Sequence, residues 1–231
     1  MSEMKNMSES SNVKLTLKLK LWNPLTIVVA PTNAVQTLLS ILAFAFFFEP
    51  IFQALGFSNA KLLSVLVPFL MFVFSAINIV FVERQYESKK IYSGVNLGGA
   101  IMPVLLAIYF MSSVAKAWLI QELIILTFAL YISYSFSAVE SEGVVILSIP
   151  IALSCALATL FLVHNPIVAP MLAYSSSVLG VVFADIINLK KVIEVTDSNG
   201  SIGSFGLVDA ISMTGLFSLA IVYFALLLFH A

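Results

Sequence analysis

Charge is what this chain has least of. Only 10% of its 231 residues are Asp, Glu, Lys or Arg, where a soluble domain carries about 25%. That deficit excludes an ordinary water-soluble globule. The net charge of −1 supplies no basic face, so no nucleic-acid partner is expected. The single cysteine, Cys155, sits within the apolar run "SIPIALSCALATLF"; an intramolecular disulfide is excluded, and the residue reads as a small buried side chain. The two histidines, His164 and His230, have no thiol or acidic company, and neither a metal nor an organic cofactor is expected. The first twenty residues are polar and no small-residue cleavage site follows a short apolar core, so no cleavable signal peptide is expected.

What is present is apolar. Hydrophobic residues make up 61% of the chain, and the mean hydropathy is +1.07. These values predict a multi-pass protein of the cell membrane whose first partner is the lipid bilayer. A spanning helix needs about 20 mostly apolar residues. Seven runs qualify: 25–48, 61–82, 95–113, 117–139, 143–163, 167–189 and 205–230. The expected fold is therefore all-α, a polytopic transmembrane helix bundle over 25–231 behind a polar N-terminal tail, 1–24. Pro31 is expected to kink or split the first run and Glu49-Pro50 to close it. The fifth and sixth runs are joined by little more than "HNP", a tight helical hairpin.

Lysine and arginine predict the orientation. With seven spans, Lys5, Lys14, Lys18, Lys20, Arg84, Lys89, Lys90, Lys190 and Lys191 fall on one side, and only Lys61 and Lys116 on the other. The positive-inside rule then places the N-terminus in the cytoplasm. Within the tail, "VKLTLKLKL" (13–21) alternates with period two, which reads as an amphipathic strand whose lysines face anionic lipid, or as a disordered basic tail. A weak internal echo relates 77–101 to 187–211, with Asn78 meeting Asn188 and "NLGGAI" meeting "GLVDAI"; it would be a parallel repeat.

Two aspartates stand out. Asp185 ends the apolar run "VLGVVFADIINLKK", and Asp209 opens "FGLVDAISMTG". A carboxylate at the centre of a span costs about 2.5–3.5 kcal/mol, so such residues mark function by default. Both lie near the same predicted boundary, on consecutive antiparallel helices that are expected to be neighbours. Tyr174, Ser177, Val181, Asp185 and Asn188 recur at helical spacing and form one polar face of the sixth helix. Gly203 and Gly206 precede Asp209, where they permit close backbone approach.

Two level carboxylates suit aspartyl hydrolysis, with one ionised and activating water, and the other protonated and hydrogen-bonding the scissile carbonyl. Asp185 and Asp209 would be catalytic, with Tyr174, Ser177, Asn188 and Gly206 lining the substrate approach. The structural alternative makes Asp209 a first-turn residue favoured by the helix dipole and Asp185 an interfacial carboxylate. Glu122 reads as interfacial. Asn78 and Asn96 suit interhelical hydrogen bonds. "GVNLGGAIMP" suits close helix packing rather than nucleotide binding, because no strand is expected before it.

"AYSSSVLGVVFADIINLKK" followed by "SIGSFGLVDAISMTG" resembles a prokaryotic membrane family, domain of unknown function 1614, over roughly residues 70–225. The positions that carry the likeness are Gly180, Asp185, Asn188, Leu189, Ser201, Ile202, Gly203, Asp209, Ile211, Thr214 and Gly215. It implies a shared fold and no activity. A looser resemblance is to presenilin and signal-peptide-peptidase type intramembrane proteases. These carry an aspartate on the sixth helix and a G-x-G-D motif on the seventh, which implies proteolysis by Asp185 and by Asp209 of "GLVD". Val208 and Ala184 depart from that pattern. Three functional classes follow: an aspartyl intramembrane protease acting on a membrane-protein substrate, a proton- or cation-coupled transporter using the same aspartates, and a non-catalytic scaffold for other membrane subunits.

Overall fold

Each of the seven apolar runs becomes a helix in the computed structural model, which describes residues 13–21, 31–86, 89–114, 116–140, 143–195, 200–203 and 209–230. The helices are α1 (Pro31–Ala54), α2 (Ala60–Phe74), α3 (Met102–Ser113), α4 (Leu119–Ser135), α5 (Ser148–Leu162), α6 (Val168–Val195) and α7 (Ala210–His230). A π-helical turn, Leu97–Ile101, leads into α3, and a 3₁₀ turn, Lys116–Trp118, leads into α4. Among the described residues, four stretches are long and apolar enough to cross a membrane: Val35–Ala54, Lys116–Ser135, Val168–Val192 and Ala210–Phe229. Ala60–Phe74, Leu97–Ser113 and Ser148–Leu162 are shorter apolar helices. Their composition is that of a membrane protein.

The helix boundaries differ from expectation, with identifiable causes. Pro31 opens α1 instead of splitting it, because the first helical position needs no amide donor. The helix then runs through Pro50 to Ala54. Asn165 caps the start of α6, its Oδ1 accepting from the amides of Ile167 and Val168 at 3.0 Å each. At its other end α6 continues past Lys190, whose neighbour Lys191 lies over the Tyr134 ring.

The all-α expectation fails between the helices. Residues expected to finish the second span instead form strand β2 (Ile77–Tyr86), paired with β3 (Lys89–Asn96). "INIVFVERQY" is rich in β-branched and aromatic side chains, which fit a pleated surface better than a helix. "SAVE" and "GVVI" likewise form a hairpin, β4 (Ser137–Glu140) with β5 (Gly143–Ile146). The N-terminal alternation is a strand, β1 (Val13–Leu21), and β6 (Gly200–Ile202) lies between α6 and α7. The main sheet has the order β1-β2-β3-β6, antiparallel except for the parallel β3–β6 pair.

The internal echo survives only in part. β3 and β6 are parallel neighbours and each leads towards a helix, but Ile77–Tyr86 is a strand where its counterpart, 187–195, is helix.

Glu83 ties three strands of this sheet. Lys90 Nζ reaches its Oε1 at 2.9 Å and Lys18 Nζ its Oε2 at 3.1 Å. The hydrogen bond from Lys90 first, and then that from Lys18, hold the Glu83 carboxyl at about 2, below its usual 4.5. A lowered acid stabilises the fold above its unfolded value and loses that contribution as pH falls through the folded one. Protection of the β1 amides, taken relative to the intrinsic exchange rate at each pH, is therefore expected to fall as pH is taken from about 4.5 through about 2, and Glu83→Gln is expected to flatten the response. Both lysines are open to solvent, so the effect should be small and reduced by salt.

Asn96 joins sheet to helices. Its Nδ2 donates to the Ser75 carbonyl at 2.8 Å and to Asn78 Oδ1 at 3.1 Å, while its Oδ1 accepts from the Gly99 amide at 2.8 Å. Ser201 Oγ donates to the same Asn78 oxygen at 2.6 Å, which adds β6 to the node. These asparagines thus bond across paired strands rather than between helices. Asn96→Ala strands the buried Gly99 amide and Ser75 carbonyl, and should cost about 3 kcal/mol in detergent-micelle unfolding.

Candidate functional site

α6 is the axis of the bundle. Every residue from Ala169 to Val181 is buried, and the helix packs on α3, α4, α5 and α7. Small side chains make this possible. A Cβ on Gly180 would lie 2.8 Å from Ala129 of α4, and one on Gly215 of α7 would lie 2.5 Å from Val178 Cγ2.

These contacts fix the registers. Gly180 abuts Ala129, and Asn188 Nδ2 donates to Ser137 Oγ at 3.0 Å, so α4 and α6 run parallel. Gly215 abuts Val178, and Ser218 Oγ donates to Ser177 Oγ at 2.8 Å, so α6 and α7 run antiparallel. Continued along both helices, that second register sets Asp185 opposite Asp209. The two carboxyl groups stand within electrostatic reach of each other, and both residues are buried, 7% and 8% exposed.

Their environments differ. Asp209 immediately precedes α7 and caps it: its Oδ1 accepts from the Ile211 amide at 3.1 Å, and its carbonyl accepts from the Met213 amide at 2.9 Å. The helix N-terminus favours negative charge there. Asp185 lies in mid-helix, and its buried Oδ1 has no hydrogen-bond partner. A buried carboxyl oxygen without a partner is costly, which suits a group that meets water or a ligand. The seam therefore holds one carboxyl anchored at a helix start and, within electrostatic reach of it, one buried carboxyl oxygen without a hydrogen bond.

The remaining members of the expected polar face of α6 do not converge on this pair. Tyr174 is fully buried among aromatics, with its ring centroid 5.2 Å from that of Phe48 and 5.6 Å from that of Phe110. Ser177 bonds to the Ala173 carbonyl and to Ser218 in the α6–α7 seam. Asn188 ties α6 to the start of β4. A helix buried on all sides distributes one sequence stripe over several neighbours. Gly206 lies outside the described residues, so the approach expected of it is not placed.

Other buried polar groups lie along the helices, outside the pair. Ser212 Oγ and Thr214 Oγ1 of α7 are buried without partners, as are Ser133 Oγ and Ser176 Oγ. Isolated serines and threonines carry little signal in an apolar run. Glu122, expected at an interface, is 3% exposed with its Oε1 unpartnered. A cleft of about 670 Å³ lies between α1 and α7, lined by Val35, Gln36, Leu39 and Ser40 on one side and Met213 and Leu216 on the other. Met213 is one helical turn beyond Asp209.

The glycine-rich stretch needs a correction. A strand, β3, does precede "LGGAI". Its geometry is nevertheless one of packing: a Cβ on Gly98 would lie 1.9 Å from the Met71 carbonyl oxygen, and Gly203, at φ +78°, presses on Gly99 and Ala100. Backbone fills the space a phosphate would need. Among the described residues, no three His, Cys, Asp or Glu side chains group closely enough to hold a metal ion.

No curated protein and no solved structure matches the chain. A family model described as "Protein of unknown function (DUF1614)" matches residues 57–221, from just before α2 into α7. That match takes in both aspartates, the Asn78–Asn96–Ser201 node and most of the 231 residues, and the chain belongs to the DUF1614 family.

Proposed function

We propose that all seven helices cross the cell membrane with the N-terminus in the cytoplasm, and that Asp185 and Asp209 form a two-carboxylate hydrolytic site of the aspartyl intramembrane protease type. The observation that carries this reading is the opposition of the two buried carboxyl groups across the α6–α7 seam. Asp209, anchored at the helix N-terminus, is the ionised member and takes a proton from water. Asp185 holds the shared proton and hydrogen-bonds the carbonyl to be attacked. The attacked carbonyl becomes a tetrahedral diol; the departing amine then takes a proton from the pair. The apolar cleft between α1 and α7 supports a substrate that arrives from the lipid, a transmembrane segment of another protein.

A second reading, proton- or cation-coupled transport, is favoured by the buried polar groups away from the pair: Ser212, Thr214, the Ser177–Ser218 contact and Glu122. One preparation separates the two. Purified protein in vesicles is offered a quenched fluorescent transmembrane peptide, and proton or sodium flux is recorded on the same vesicles. Cleavage that requires both aspartates supports the hydrolytic reading. Flux without cleavage would sink it.

A further inference from the structure

Strand β1 turns its leucines outward. Leu15, Leu17 and Leu19 are 81, 80 and 76% exposed, a continuous apolar row on an edge strand. Two of the three lysines that alternate with them have partners in the sheet: Lys18 bonds Glu83, and Lys20 Nζ sits 3.8 Å from the centroid of the Tyr92 ring. A basic amphipathic strand is expected to meet a membrane through its lysines. Here two of those cations are held within the sheet, and the apolar side is open.

Position indicates what covers it. β2 starts at Ile77, just after α2 ends at Phe74, and β3 runs directly into the turn before α3. Leu21 pairs with Ile77 and Leu19 with Ile79. At about 3.3 Å per strand residue, Leu19 lies roughly 7 Å from the start of β2. The headgroup layer on each side of a bilayer is roughly 5–8 Å thick, so the apolar row begins within reach of it at Leu19, and Leu17 and Leu15 stay in it when the strand lies along the bilayer plane. In water such a row would be a template for aggregation.

We propose that the Leu15–Leu17–Leu19 face of β1 rests in the interfacial layer of the bilayer, held by apolar burial rather than by attraction of lysine to anionic headgroups. The proposal is independent of the chemistry assigned to the aspartates.

The test uses full-length protein carrying Cys155→Ala and Leu17→Cys, labelled with an environment-sensitive fluorophore, in phosphatidylcholine vesicles with and without phosphatidylglycerol. A label at Thr16→Cys reports the opposite face, and Leu15→Cys and Leu19→Cys repeat the measurement independently. Blue-shifted emission at the leucine positions, with quenching by shallow spin-labelled lipid and loss of quenching by iodide, is expected in both lipid compositions and in high salt. Equal iodide access on the two faces overturns the proposal. So does a shift that requires phosphatidylglycerol, which would return the role to the lysines. A shift that disappears as protein is diluted into more lipid overturns it too, because a second copy of the chain would then be the cover.

Discussion

Asp185→Asn is expected to remove cleavage of a membrane-embedded peptide and leave the fold intact. General acid–base groups contribute about 10²–10⁴-fold each, and a shared-proton pair fails when either member can no longer exchange a proton. Asp209→Asn should do the same, and it is the more instructive variant. Asparagine caps a helix about as well as aspartate, so the Ile211 amide keeps its acceptor and α7 its start. Lost turnover at unchanged stability would therefore isolate the charge from the cap. Asp209→Ala removes both and should additionally cost about 0.5–2 kcal/mol. Wild-type cleavage by both Asn variants would end the hydrolytic reading, and reduced flux in Glu122→Gln would then point to transport.

Gly98→Ala is expected to produce the largest loss of stability. The added methyl would sit 1.9 Å from the Met71 carbonyl oxygen, 2.4 Å from the Ser75 amide nitrogen and 2.8 Å from the Phe74 carbonyl carbon. All three are backbone atoms, which cannot swing aside as a side-chain tip can. Relief requires α2 and the turn before α3 to part, and that movement also pulls on Asn96 and its bond to Ser75. Overpacking ordinarily costs about 1–3 kcal/mol, and a clash confined to backbone belongs at or above the top of that range. Thermal unfolding in micelles should show it. A melting temperature equal to that of the parent would mean that the two segments are not held as closely as described. The same substitution at Gly56, where a Cβ meets nothing within 4 Å, tests backbone strain alone, because φ there is +84°.

The helices were legible because a membrane imposes a length and an apolar content that few other structures meet. Their ends were not. Ile77, Val80 and Val82 continue the hydropathy of α2 without a break, and hydropathy alone does not distinguish a helix end from the strand that follows. The alternation in 13–21 was strong enough to read as a strand, but its pairing with 77–86 depends on contacts far away in sequence. The aspartates were legible as exceptions in apolar surroundings. Their opposition follows from a register set by Gly215, Val178, Ser177 and Ser218, none of which signals a register by itself. The polar stripe through Tyr174, Ser177 and Asn188 does not say which neighbour each residue meets. Amphipathicity assumes one wet face, and α6 has none over its central turns.

The order of the main sheet also bears on how the chain is made. β1 and β2 meet across a separation of 65 residues, as measured at Lys18 and Glu83. β3 receives β6 only after α3, α4, α5 and α6 have been synthesised and placed. A growing chain can close the β2–β3 hairpin early and add β1 to one side, but the other side of β3 stays open until residues 200–202 emerge. Non-local pairing of this kind is slow, and an unpaired strand edge is adhesive while it waits. β6 is therefore a late clasp in chain order: it can cover its part of the β3 edge only after four helices have been made, just ahead of α7 and Asp209 in the sequence.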